Sequence, residues 1–346
     1  MSASFHDTEI VSRARRRVLR SLGAAPAIAL SASFASFASF SALNATPAHA
    51  ATNADLRSVT VVLGDQAGGT RALAEAAKVL EGAPYAWRWA NFQGAAPLFE
   101  AQRSGAVDLA PAGDMPVLAA AVGDPNLKIV ATRVGSGAGL GIVVQANSPV
   151  RHVADLKGRT VCVSSARGSI SQYQLYGALA EAGLSRNDVN VRFVLPVDAF
   201  AAFESGAIDV WATFDPYFGI AVQRGGRVLR DGSGINSGLG FFTASGSSVT
   251  DPLKRAAIAD VLRRLQRAAD WALVHPDDYA QIYASLTHAP LDAASQITRR
   301  SVLKQHFVTE ADIVALQTVA DVSFRDEILP RRIDVRAIAD TQLATV

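Results

Sequence analysis

The chain has 346 residues, 49% of them apolar, which exceeds the needs of one small core and supplies enough apolar side chains for two. Its 33 basic residues nearly balance 31 acidic ones. Arg13, Arg15, Arg16, Arg17 and Arg20 sit together near the start, so the rest is close to neutral and lacks the basic face that binding nucleic acid requires.

The first fifty residues have the build of an export signal. Behind the five arginines comes an Ala/Ser/Phe-rich stretch from Leu22 to Leu43, and Ala48-His49-Ala50 offers small residues for cleavage after Ala50. Arg15-Arg16-Arg17-Val18-Leu19-Arg20 resembles a twin-arginine pattern, with Ala14 where Ser or Thr is usual, so the general secretory route stays open. No cysteine lies near the cleavage point. The expectation is therefore a protein without a lipid anchor, held in the periplasm. The one cysteine, Cys162, sits in the apolar run Thr160-Val161-Cys162-Val163 and reads as a buried core thiol.

From Ser58 the rhythm is strand then helix. A β-branched run over 58–63 leads to a helical pattern over 70–80, then a strand over 85–89 and a helix over 96–103. A strand over 107–110 follows, with a helix from Asp114. Such alternation predicts a parallel sheet covered on both faces. After Ile129-Val130-Ala131-Thr132, the glycines from Gly135 to Gly141 lead into the strand Ile142-Val143-Val144. A dinucleotide fingerprint needs a helix there, so these glycines read as a crossover between lobes. The rhythm restarts with a strand over 160–163, a helix over 170–182, a strand over 189–194, a helix over 199–204 and a strand over 208–211. Gly240-Phe241-Phe242-Thr243-Ala244 reads as a return strand, and helical patterns over 252–274, 276–286 and 309–319 complete the chain. The expected architecture is two doubly wound α/β lobes joined by two strands. Lobe 1 takes 51–143 and 240–346, lobe 2 takes 144–239, and the site lies in the cleft between them.

Four motifs occur in an order that points further: Gly64-Asp65-Gln66, Gly113-Asp114-Met115-Pro116, Val153-Ala154-Asp155-Leu156-Lys157-Gly158 and Asp215-Pro216-Tyr217. Together they resemble the aliphatic-sulfonate, taurine and nitrate group of ABC-importer binding proteins. The resemblance implies a type II binding-protein fold, and a monomer that closes on one small anionic solute and delivers it to an inner-membrane permease. It implies no catalysis and no cofactor. A small organic sulfonate, an alkanesulfonate or sulfate ester, is the first expectation. Taurine, nitrate or a thiamine precursor remain open, as does the pyrimidine-synthase enzyme that shares the fold.

The physical candidate for the site is Arg167-Gly168-Ser169-Ile170-Ser171, where free N–H groups at a helix start suit an oxyanion. Ser169 would equally serve as a plain helix cap. Arg167 would add a two-pronged cation. Asp114 reads either as a helix cap or as a cleft residue, and Gln66 matches the family's first-loop amide donor. Asp215 reads chiefly as a structural cap for a helix opened by Pro216. Phe214 stands where the family usually has Trp, keeping an apolar wall without the N–H donor, and Phe92 reads as wall or core. The chain has no Gly-x-Ser-x-Gly elbow, no paired cysteines and no histidines at helical metal-ligand spacing, so enzyme and metal readings find little support.

Overall fold

A computed structural model of the chain describes residues 53–301 and 304–346. The expected leader and its cleavage after Ala50 lie outside the described residues. The elements begin with α1 (Asn53–Leu56), β1 (Thr60–Gln66), α2 (Gly69–Ala76), β2 (Ala86–Phe92), α3 (Ala95–Arg103), β3 (Leu109–Gly113), α4 (Asp114–Gly123) and β4 (Lys128–Val134). The chain then crosses to β5 (Leu140–Val144), β6 (Thr160–Ser164), α5 (Ile170–Glu181), β7 (Asn190–Val194), α6 (Pro196–Glu204), β8 (Val210–Phe214), α7 (Tyr217–Gln223) and β9 (Arg227–Asp231). It returns through β10 (Leu239–Ala244), α8 (Gly246–Thr250), α9 (Pro252–Val274), α10 (Pro276–Thr287), α11 (Leu291–Ser301), β11 (Lys304–Phe307), α12 (Glu310–Arg325) and α13 (Val335–Ile338).

Six strands make one sheet, ordered β11-β4-β10-β3-β1-β2, and five make another, ordered β7-β6-β8-β5-β9. The sheets are mixed rather than wholly parallel as the rhythm predicts. β1 runs parallel to β2 and β3, and β6 to β7 and β8. β10 runs antiparallel to β3 and β4, and β5 antiparallel to β8 and β9. β5 and β10 each enter their sheet from the other lobe, which turns their direction over, whereas β11, antiparallel to β4, arrives from α11. All of β5 pairs within the second sheet, so the first crossing falls within 135–139, just before the expected boundary at 143. The two crossings run side by side, with the Gly135 N–H donating to the Gly238 carbonyl at 2.7 Å.

Burial follows position in the sheet. Interior β1 is buried along Val61–Asp65, whereas edge strand β2 is largely exposed, so only the former reads as a continuous apolar run. One face of the first sheet packs Phe241 against Leu98, Met115, Leu118 and Leu316 from α3, α4 and α12. The other packs Leu63 and Phe242 against Ile258, Leu262 and Leu265 of α9. In the second sheet Ile142 and Val163 meet Leu175 and Leu179 of α5, while Trp211 and Cys162 meet Phe203 of α6 on the opposite face. No described helix is long and apolar enough to cross a membrane.

Candidate functional site

Between the two sheets lies a cleft of about 600 Å³. Gln66 reaches it from the end of β1, Gly113 from the end of β3, and Phe214 and Asp215 from the end of β8. Residues 165–170, between β6 and α5, face it as well. These are carboxyl ends of strands, where helix N-termini and loops converge.

The start of α5 is built by its own sequence. Gly168 has φ +77°, a left-handed conformation that glycine adopts without penalty, and a Cβ there would lie 2.7 Å from that of Ala119. The Oγ of Ser169 accepts from the Gln172 N–H at 3.3 Å and so caps the helix. The Gly168 N–H donates to Oε1 of Gln172 at 2.8 Å, so this expected oxyanion donor is already engaged. The Ser169 hydroxyl hydrogen, the first-turn N–H groups beyond reach of any helix carbonyl, and the helix dipole remain to face a ligand.

The other expected residues divide. Arg167 is exposed at the cleft wall, its guanidinium 5.4 Å from the ring centre of Phe193. Ile170 and Phe214 line the cleft. Gln66 also lines it, but its Nε2 donates to the Pro111 carbonyl at 2.6 Å. Asp114 does not line the cleft. It is fully buried, Oδ1 accepting from the Met115 N–H and Oδ2 from the Ser237 hydroxyl at 2.5 Å. It thereby ties α4 to the second crossing, and burial lifts its carboxyl above the usual range despite those donors. Ser171 points into the core instead, fully buried with its hydroxyl unpartnered. Phe92 packs against the core of the first sheet.

Asp215 does line the cleft, but its carboxylate is taken. It accepts two parallel bonds from Arg300, at 2.6 and 2.7 Å, and one from the Gly219 N–H at 3.0 Å. Burial raises this carboxyl, with Arg300 and Gly219 pulling it back. A paired carboxylate is a poor partner for an anion, so Asp215 holds Arg300 and the start of α7 rather than a ligand.

Sequence reasoning missed the residues that come from distant elements: Arg133 on β4, Tyr279 and Tyr283 on α10, and Arg300 on α11. Among the described residues nothing accepts a hydrogen bond from the Arg133 guanidinium, which lies 5.5 Å from the ring centre of Phe242. Burial lowers its hold on its proton, while Tyr279 and Asp65 act in the other direction. A signal existed, since Arg133 is a lone charge in the run Ile129-Val130-Ala131-Thr132-Arg133-Val134. For α10 and α11 there was none, because only folding brings them over the cleft.

Two mixed α/β sheets, joined by paired crossings over a cleft at their strand ends, define a periplasmic substrate-binding protein of the ABC-importer type. Residues 92–231 match the family described as ABC transporter, phosphonate, periplasmic substrate-binding protein. An Escherichia coli (strain K12) protein named "Putative aliphatic sulfonates-binding protein" is 32% identical over 257 residues, 72% of this chain and 77% of its own. The chain belongs to that aliphatic sulfonates-binding family. The alkanesulfonate-binding protein SsuA from Xanthomonas axonopodis pv. citri, bound to MOPS, superposes with a TM-score of 0.74 at 27% identity, over 81% of this chain and 98% of that one. The periplasmic aliphatic sulphonate binding protein SsuA from Escherichia coli gives a TM-score of 0.69 at 28% identity, over 81% and 91%. The desulfurization enzyme DSZB, at 15% identity and a TM-score of 0.58 over 83% and 97%, shares the fold alone.

Proposed function

We propose that this chain captures a small organic sulfonate, an alkanesulfonate or sulfate ester, in the interlobe cleft and delivers it to an inner-membrane ABC permease. The observation that carries this reading is a cleft of about 600 Å³ that joins a capped helix start, at Gly168 and Ser169, to apolar walls from Phe99, Pro97 and Phe214. An oxyanion suits the first and an organic tail the second. Gln66, Arg167, Gly168, Ser169, Ile170 and Phe214 are the contacts we assign from the sequence-derived set. A binding rather than catalytic role is supported by how the acids that line the cleft are tied up, Asp215 by Arg300 and Glu100 by Arg103.

The remaining organisation belongs to the same proposal. Residues 1–50 form a cleaved export leader, twin-arginine-like and open to the general secretory route as well, the protein is periplasmic and monomeric, and its two lobes pivot about the crossings at 135–139 and 232–238. A ligand that binds only the folded state stabilises it by about 2.7 kcal/mol at a hundredfold excess over Kd. A thermal-shift screen of alkanesulfonates, sulfate esters, taurine, nitrate and thiamine precursors is therefore expected to raise the melting temperature with a sulfonate or sulfate ester. A rise confined to nitrate or a thiamine precursor would move the reading to that ligand.

A further inference from the structure

The cleft floor holds a positive charge that the protein does not answer. Arg300 is fully engaged, with Nε and Nη2 at 2.6 and 2.7 Å from the two oxygens of Asp215. Arg133 also lines the cleft, yet among the described residues it has no carboxylate, carbonyl or hydroxyl within hydrogen-bonding distance. The acid that influences it, Asp65, makes no hydrogen bond to it, and its buried Oδ2 has no partner among the described residues. Its Oδ1 accepts from the N–H groups of Thr70 and Arg71, at 2.8 and 3.3 Å, at the start of α2. An unpaired guanidinium away from bulk water is costly, and is kept where something charged comes to meet it.

We infer that Arg133 anchors the anionic head group of the ligand, and that the cleft selects an oxyanion carrying one permanent negative charge. The planar guanidinium offers parallel N–H donors to two oxygens of one head group. Of the three arginines that line the cleft, Arg300 is ion-paired and Arg167 is exposed to solvent, so one half-buried unpaired cation, Arg133, matches one negative charge. Asp65, which is buried, and Asp215, which is mostly shielded from solvent, oppose a second. A sulfonate meets these terms, since three acceptor oxygens share a single charge and none takes up a proton near neutral pH. A phosphonate that has lost its second proton does not. In this arrangement the start of α5 contributes dipolar donors and Arg133 contributes the full charge.

The anchor rests on the reading of the cleft as an organosulfonate site, and calorimetry separates the two. The purified protein is titrated with hexanesulfonate, with the neutral hexanesulfonamide of the same shape, and with hexylphosphonate below and above its second ionisation. The wild type is expected to favour sulfonate over sulfonamide by about 10- to 100-fold, and to bind phosphonate more weakly once it is doubly charged. Arg133→Gln should remove most of the preference between sulfonate and sulfonamide, and Arg133→Lys should keep a larger part of it, because lysine restores the charge without the fork.

If Arg133 served only the fold, the variants would lower the melting temperature of the free protein and leave the sulfonate-to-sulfonamide ratio intact, which overturns the anchor. Binding of a carboxylate but no sulfonate, with a charge preference that Arg133→Gln removes, keeps the anchor and overturns the sulfonate reading. Tighter binding of the doubly charged phosphonate overturns the single-charge selection.

Discussion

Asp340 shows how one residue can report on the docking of a whole segment. Its carboxylate accepts from both terminal nitrogens of Arg255 on α9, and its N–H donates to the Ile129 carbonyl at 2.9 Å, so it pins the chain after α13 onto both. Burial works to raise this carboxyl, but the hydrogen bond and charge of Arg255, with the N–H groups of Gln342 and Leu343, outweigh it and hold it below the ordinary range. A depressed carboxyl contributes stability that is present above its unfolded value, near 3.9, and lost as pH falls through the folded one. Asp340→Asn should therefore cost about 1–2 kcal/mol at pH 6 in urea unfolding. The gap from wild type should close as pH drops below about 4; a gap independent of pH would show that the ionised carboxylate is not what matters. At this scale Cys162 was fully legible. It is buried in β6, which pushes its thiol up to about 11, and the apolar run around it foretold that. Arg133 was half legible, because its oddity shows in the run but its place in the cleft does not.

Helix α5 is the element on which the sequence argument for the site turned, and its start is both cap and candidate contact. Arg167→Ala combined with Ser169→Ala should weaken sulfonate binding by about 1–3 kcal/mol. Loss of the cap should also cost the free protein about 1 kcal/mol, so unfolding and titration are both required. Unchanged affinity in the double variant would remove the start of α5 from the site. Element boundaries were most legible where chemistry marks them. Asp251 accepts from the Leu253 and Lys254 N–H groups, and Pro252 opens α9 at the expected residue. Thr309 and Asp312 cap α12 reciprocally. The edge strands β9 and β11 and the helix α11 escaped. Edge strands bury few side chains, and α11 is polar overall, burying only Ala293, Ala294, Ile297 and Thr298, so neither offers many large apolar side chains to mark it.

At the scale of the whole molecule, two ion pairs among the described residues span the lobes. Arg186, in the second lobe, bonds Glu327 and the Asp326 carbonyl of the first; Glu327 is exposed, and such pairs contribute little. Arg300 and Asp215 are mostly shielded from solvent, and breaking that pair leaves a guanidinium stranded in the cleft. Asp215→Asn should lower unfolding free energy by about 1–3 kcal/mol and raise the radius of gyration of the ligand-free protein in small-angle scattering. A variant as compact as wild type would show that the pair does not hold the lobes together.

The alternation of strands and helices along most of the chain, the paired crossings and the capped start of α5 were determined by the sequence alone, because each depends on neighbours a few residues apart: a period, a cap, a glycine where φ is positive. The direction of β5 and β10, the burial of Asp114 and Ser171 away from the cleft, and the meeting of Arg133, Tyr279 and Arg300 across it were decided only by tertiary structure. Those outcomes depend on which surfaces pack together after the chain has crossed twice between lobes. No local pattern records a contact between residues 85 positions apart, as Asp215 and Arg300 are.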